Sequence, residues 1–192
     1  MENIKICFTG CSSVGKTTLI NALASCYPEF SVQRESVRYL KDNYGMDFRS
    51  GNIGLQLALL HLQTKFLMKP GKYLLDRSSL DSYAYTFFYK SHHQCDIPAS
   101  VLTYLREESE YNMKNFVDLI IFLRPGDFKA VEDGIRITET TYRTETDAAM
   151  EKLIKEWGLE DKVIEPHGTV EERIDFCKPY IDKLIVKRAE KY

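Results

Sequence analysis

Gly10-Cys11-Ser12-Ser13-Val14-Gly15-Lys16-Thr17 satisfies G-x-x-x-x-G-K-[ST] in full. The spacing has a mechanical reason. Glycines let the backbone curl so that successive N–H groups point inward at phosphate oxygens. A helix beginning at this point adds its positive N-terminal dipole. Lys16 can reach the β and γ phosphates as a point charge, and the Thr17 hydroxyl can ligate Mg²⁺. The expected grip on ATP is therefore Gly10, Ser12, Ser13, Val14, Gly15, Lys16, Thr17 and Thr18.

Magnesium in such a site usually takes a second anchor, an acid at the end of a neighbouring buried strand. Asp76 directly follows the apolar Tyr73-Leu74-Leu75 and fits that place; its other reading is a helix cap or a salt bridge to Arg77. Glu35 follows a short second strand and precedes Arg38. A carboxylate facing the phosphate loop there could take the proton of an attacking hydroxyl. It could equally be an acid favoured by the first turn of a helix. Arg136 and Arg143 lie in a polar, Thr- and Arg-rich stretch, residues 127–146, which reads as a lid. Arginines carried in by such a segment neutralise the charge that builds during phosphoryl transfer, and closure excludes water. Arg77 could hold an acceptor in a bidentate grip. Gln56 and Gln63 could read a base edge or simply be exposed helix residues. The aromatic run Tyr83, Tyr85, Phe87, Phe88 and Tyr89 could stack on a base, but such density is more often core.

The elements that must place these side chains alternate between short apolar runs and longer periodic ones, the pattern of an α/β domain with a parallel sheet. Strands are expected at residues 4–8, 30–33, 73–75, 117–123 and 162–164, and helices at 17–26, 52–67 and 170–188. No repeat, linker or low-complexity tract divides the chain, so residues 1–192 read as one domain.

With 26 basic and 28 acidic residues the net charge is −2, which excludes a chain-wide basic footprint for nucleic acid. A nucleic-acid partner is not favoured, although a local groove is compatible with this balance. No run approaches the ~20 apolar residues of a membrane span. Residues 1–5 lead straight into a strand pattern without the features of a signal peptide. The five cysteines form no C-x-x-C pair, and His92-His93-x-Cys95 has no partners that would complete a metal site. A reducing cytoplasm is the expected compartment. N-K-x-D, by which guanine is read in GTPases, is missing.

The phosphate loop, Glu35 with Arg38, and Leu74-Leu75-Asp76-Arg77-Ser78-Ser79-Leu80-Asp81-Ser82-Tyr83 resemble the deoxynucleoside kinase and thymidylate kinase superfamily. They look still closer to the small AAA-type kinase-like proteins related to bacterial ribosylnicotinamide kinase. The resemblance implies a three-layer P-loop NTPase fold: a central five-stranded parallel sheet in the order 2-3-1-4-5, flanked by helices, with a lid. It also implies that Glu35 is the base, that Arg77 holds the acceptor, and that Asp133-Gly134-Ile135-Arg136 and Arg143 form the lid. Residues 167–173 would be a last loop near the adenine. The expected activity is Mg²⁺-ATP-dependent phosphoryl transfer to a nucleoside or nucleotide, by a monomer or homodimer. Two readings stay open beside it: a kinase acting on a nucleic-acid end or modified base, and an ATP-bound regulatory switch.

Overall fold

The computed structural model describes residues 3–46, 52–92, 96–126 and 140–190. The elements run β1 (Ile4–Thr9), α1 (Lys16–Cys26), β2 (Ser31–Gln33), α2 (Ser36–Tyr44), α3 (Ile53–Met68), β3 (Lys72–Asp76), α4 (Ser79–Ser91), α5 (Ala99–Phe116), β4 (Leu119–Phe122), α6 (Thr140–Glu156), β5 (Val163–Ile164) and α7 (Val170–Ala189). All strand pairs are parallel, and the sheet order is β2-β3-β1-β4-β5, as the resemblance implies.

The central strand explains the layers. Every residue of β1 is buried, as expected of a parallel strand covered on both faces. Side chains alternate between the faces. Ile4, Ile6 and Phe8 pack with Leu19, Ile20 and Leu23 of α1 and Cys177 and Ile181 of α7. Cys7, Leu75, Ile120 and Phe122 pack on the other side with Leu60, Leu80, Leu105, Met113, Met150 and Trp157. Thus α1 and α7 cover one face, and α3 to α6 cover the other.

At the amino edge of the sheet, lysines close helix ends. Lys5 Nζ donates to the carbonyls of Lys69 and Gly71, both at 2.7 Å, just beyond α3. Lys162 Nζ does the same at the end of α5, donating to Lys114 O at 2.7 Å and Val117 O at 2.8 Å. The carboxyl edge is left for chemistry, where ligands of open α/β sheets bind. Among the described residues no helix is long and apolar enough to cross a membrane.

One boundary differs from the sequence reading. Residues 140–146, expected in the lid, form the first turns of α6. Tyr142, Thr146 and Met150, four apart, are all buried, so one face of that polar-looking segment packs against α4 and favours helix over loop.

Ile121 is fully buried in the cluster under α1. Truncating Ile121→Ala should lower unfolding stability by about 2–5 kcal/mol, read as a lower urea midpoint with an unchanged slope.

Candidate active site

The phosphate loop leaves β1 through Gly10. That residue has φ +141°, and a Cβ there would lie 2.3 Å from Leu123 O, so only glycine passes. Gly15, with φ +87°, turns the chain into α1 as its N-cap. Between them Ser13 also adopts a left-handed backbone, with φ +60°. Lys16 is buried, and its Nζ donates to Gly10 O at 2.8 Å and Cys11 O at 2.6 Å. Burial and the neighbouring Arg77 lower the Lys16 ammonium to about 8, while Asp81, Asp76 and Glu35 act the other way.

The register of β1 against β3 sets Phe8 opposite Asp76. Asp76 thereby reaches the first turn of α1, where Thr17 Oγ1 donates to Asp76 Oδ2 at 2.9 Å. Burial pushes the Asp76 carboxyl up, and Lys16 and Arg77 oppose that. A hydroxyl and a carboxylate oxygen meeting beside a phosphate loop are hard donors suited to Mg²⁺. The residues present therefore fit that ion.

The opposite wall is built from the ends of β2 and β3. Glu35 lies just past β2 at the head of α2. Its Oε1 accepts from Arg77 Nε at 2.5 Å, and its Oε2 accepts from Arg38 Nε at 3.1 Å. Burial raises the Glu35 carboxyl, but Arg77, Lys16 and Arg38 together outweigh that and bring it down to about 2. Arg77 has φ +76°, rare for a residue with a side chain. Several contacts hold it there. Its N–H donates to Phe8 O at 3.1 Å, and Nη1 donates to Gly10 O at 3.3 Å and to the Tyr85 hydroxyl at 3.2 Å. Its guanidinium carbon lies 5.1 Å from the centre of the Tyr85 ring. A cleft of about 80 Å³ joins the walls, lined by Ser13, Val14, Gly15, Lys16, Thr17, Thr18, Glu35, Asp76 and Arg77.

The sequence-predicted residues divide by place. Ser13 to Thr18, Glu35, Asp76 and Arg77 converge on this cleft, with Gly10 behind Lys16 and Arg38 behind Glu35. Arg143 sits in the first turns of α6, where burial raises the Cys11 thiol of the phosphate loop and Lys16 and Arg143 act against that rise. Its Nε and Nη2 are buried with no hydrogen-bond partner among the described residues. Arg136 lies outside the described residues. Both glutamines are buried rather than exposed. Gln56 Oε1 accepts from Thr86 Oγ1 at 2.7 Å, and Gln63 Nε2 donates to Ser78 O at 3.0 Å and Ser82 Oγ at 2.8 Å. They tie α3 to α4.

Three contributors escaped the sequence reading of roles. Tyr85 backs Arg77. Asp81 is fully buried beside the start of the phosphate loop. Arg173 of α7 donates from Nη1 to Val14 O at 2.9 Å, pinning the loop from behind. Residues 81 and 85 are four apart on α4, which is the signal that would have placed them on one face. Ser78-Ser79-Leu80-Asp81 ahead of an apolar run is likewise a legible capping box.

The lowered Glu35 carboxyl makes a testable contribution to stability. Its folded value, about 2, lies below the ~4.3 of a free glutamate. The stabilisation is therefore complete above about pH 4.3 and lost as pH falls toward 2. Urea midpoints across that window should fall more steeply for wild type than for Glu35→Gln, the variant forgoing about 2–3 kcal/mol at neutral pH.

Comparison with known proteins follows this geometry. The AAA domain family model matches residues 5–173, and the chain belongs to that family. No curated protein matches it in sequence. Among solved structures, NadR protein in complex with NR superposes with a TM-score of 0.72 at 21% identity, over 90% of this chain and 50% of that one. The chain thus spans about half the length of NadR. Deoxyadenosine kinase from M. mycoides gives a TM-score of 0.68 at 16% identity, covering 94% of this chain and 100% of that one. Thymidylate kinase from Candida albicans gives 0.68 at 14% identity, covering 95% and 92%. At these identities the likeness is one of fold.

Proposed function

We propose that this member of the AAA domain family is a phosphotransferase that moves the terminal phosphoryl group of Mg²⁺-ATP to a hydroxyl of a nucleoside or nucleotide. The observation that carries the reading is the cleft itself. A triphosphate grip on one wall faces a carboxylate–guanidinium pair, Glu35 and Arg77, on the other. The kinases that share the fold, among them one named for deoxyadenosine and one for thymidylate, support the same class of reaction.

The residues take these roles. Amides of residues 13–17 and the α1 dipole bind the β and γ phosphates, and Lys16 swings from the loop carbonyls to the phosphate oxygens. Thr17 and Asp76 would hold Mg²⁺, which would supply positive charge to offset that of the phosphates. Glu35 accepts a hydrogen bond from the acceptor hydroxyl and aims its oxygen at the γ phosphorus. As the new P–O bond forms and the bond to the β–γ bridging oxygen breaks, the hydroxyl proton passes to Glu35 and ADP leaves. A carboxylate near 2 is a weak base. A loose phosphoryl transition state suits it, because the proton needs to move only late. Arg143, whose Nε and Nη2 have no hydrogen-bond partner among the described residues, and Arg136 stabilise the transferring group. We assign Gln56 a contact with the base of the acceptor, and the 127–139 part of the polar stretch the role of lid.

Charge favours an acceptor that brings a hydroxyl rather than a second phosphate. Among the described residues Arg77 and Arg38 both bind Glu35, and Arg77 also faces Asp81 at 3.6 Å. Among the described residues this wall sets Arg77 and Arg38 against Glu35 and Asp81 before anything binds.

Incubation with labelled ATP and panels of nucleosides and nucleoside monophosphates tests this. Wild type should label a nucleoside. Lys16→Ala should abolish transfer, and Glu35→Gln should lower kcat by about 10²- to 10⁴-fold while ATP affinity changes little. Full activity in both variants would remove the assignment.

A further inference from the structure

Asp81 lies in the first turn of α4 with no exposed surface, and its carboxylate is shared between the two walls of the cleft. Toward the donor side, Oδ1 accepts from Gly10 N at 3.1 Å and Oδ2 accepts from Thr9 Oγ1 at 3.0 Å. At the head of α4, Oδ2 accepts from Ser78 N at 3.0 Å and Ser78 Oγ at 2.8 Å. Toward the acceptor side, Oδ1 faces Arg77 Nη1 at 3.6 Å. A helix cap alone does not account for this. The reciprocal cap involves only Ser78 and Asp81, and Glu or Gln at that position serves a capping box as well. Burying a carboxylate costs several kcal/mol unless nearly every lone pair is used. Here the further partners are the last residue of β1, the first glycine of the phosphate loop, and Arg77.

We propose that Asp81 is a positioning residue for phosphoryl transfer: it latches the Arg77 guanidinium to the root of the phosphate loop, so that Glu35 is held at a fixed distance from the triphosphate. The proposal rests on the reading of the cleft given above. Two features of Arg77 call for such a latch. Its left-handed backbone is unfavourable and persists only when surrounding contacts over-determine it. Its charge also repels Lys16 across the cleft, and Asp81 acts favourably on both cations. Without the carboxylate, Arg77 keeps Glu35, Tyr85 and the Gly10 and Phe8 carbonyls as partners, but its guanidinium loses the one charged anchor that is itself bonded to Thr9 and Gly10 N.

Asp81→Asn removes the charge and replaces one accepting oxygen with a donor. Asp118→Asn is the control. Asp118 is also a largely buried carboxylate, accepting from Lys5 N at 2.9 Å and from Arg188, but at the amino edge of the sheet. The direct readout is the Arg77 Nη1–H resonance, the group that faces Asp81, in ¹⁵N spectra. It should exchange slowly in wild type and in Asp118→Asn, and vanish into fast exchange in Asp81→Asn. In turnover, Asp81→Asn should lower kcat and raise the acceptor KM by about 10- to 100-fold, the range for a lost hydrogen bond to a charged group. The ATP KM should stay nearly constant. An unmoved Arg77 resonance overturns the proposal, as does a parallel rise of both KM values or the same losses in Asp118→Asn. If Asp81→Asn does not fold, Thr9→Val removes one anchoring hydroxyl and keeps the charge. It should show the same split at smaller size, and an unchanged kcat and acceptor KM would overturn the proposal. Wild type that transfers phosphate to no acceptor would defeat the kinase reading instead, and the resonance would still decide the latch.

Discussion

The pairing of β1 with β3, which sets Phe8 across from Asp76, is the constraint on which the site depends. The phosphate loop begins where β1 ends, and Asp76-Arg77 closes β3. Their adjacency follows from one parallel register, reinforced by the Arg77 N–H donating to Phe8 O. Alternation along a strand has a period of two, so a slip of one residue would turn Asp76 to the opposite face and part it from Thr17. The β2–β3 pairing sets Gln33 against Leu75 and so brings Glu35 to the same edge. Three strand ends thus deliver the phosphate loop, the acid at the α1 turn and the acid at the α2 turn to one place.

What gathers there is largely buried charge, stable only because it is mutually compensated. Lys16 and Arg77 are like charges, and each feels the favourable field of Asp81 and Glu35. Lys16 and Glu35 are both displaced downward, for opposite reasons. Burial dominates at the lysine, whereas surrounding cations outweigh burial at the glutamate. Removing one member of such a set leaves an uncompensated buried charge, which costs more than the pair contributed. The site is therefore rigid for an electrostatic reason as well as a packing one.

The sequence displayed those parts whose physics is local. The β1 and β4 runs are apolar because both faces of each strand are covered, and the phosphate loop is visible because its backbone demands glycine at Gly10 and Gly15. Strand order was carried by the resemblance rather than by periodicity. Helices α2, α4 and α5 went unassigned, and α6 was partly taken for loop, because α4 to α6 pack largely on one another. Their buried positions mix Tyr, Ser, Thr, Asp and Asn with aliphatic residues. Gln56 and Gln63 show the same limit. Helix α3 buries both glutamines beside Leu55, Leu59, Leu60 and Leu67, and spacing cannot tell a buried amide from an exposed one until its partners on α4 are known. Tyr85 and Arg173 act through tertiary contacts alone.

Those tertiary contacts make the walls of the cleft interdependent. Tyr142, at the root of α6, stacks on Tyr85 with ring centres 5.8 Å apart, and its hydroxyl meets that of Tyr89. Tyr85 in turn holds Arg77, and Arg77 holds Glu35. One turn from Tyr142, Thr146 bonds back to the Tyr142 carbonyl, while Arg124 at the end of β4 grips Asp147 at 3.0 Å and Glu151 at 2.9 Å. Helix α6 is thus fixed to β4 by ion pairs and to the Arg77–Glu35 wall by aromatic packing, with Arg143 between these two attachments. Packed interfaces of this kind transmit displacement instead of absorbing it. A shift of α6 would move Arg143 and disturb the Tyr85 support of Arg77 in the same motion, so the arginine beside the phosphate loop and the guanidinium that orients Glu35 share one mechanical frame.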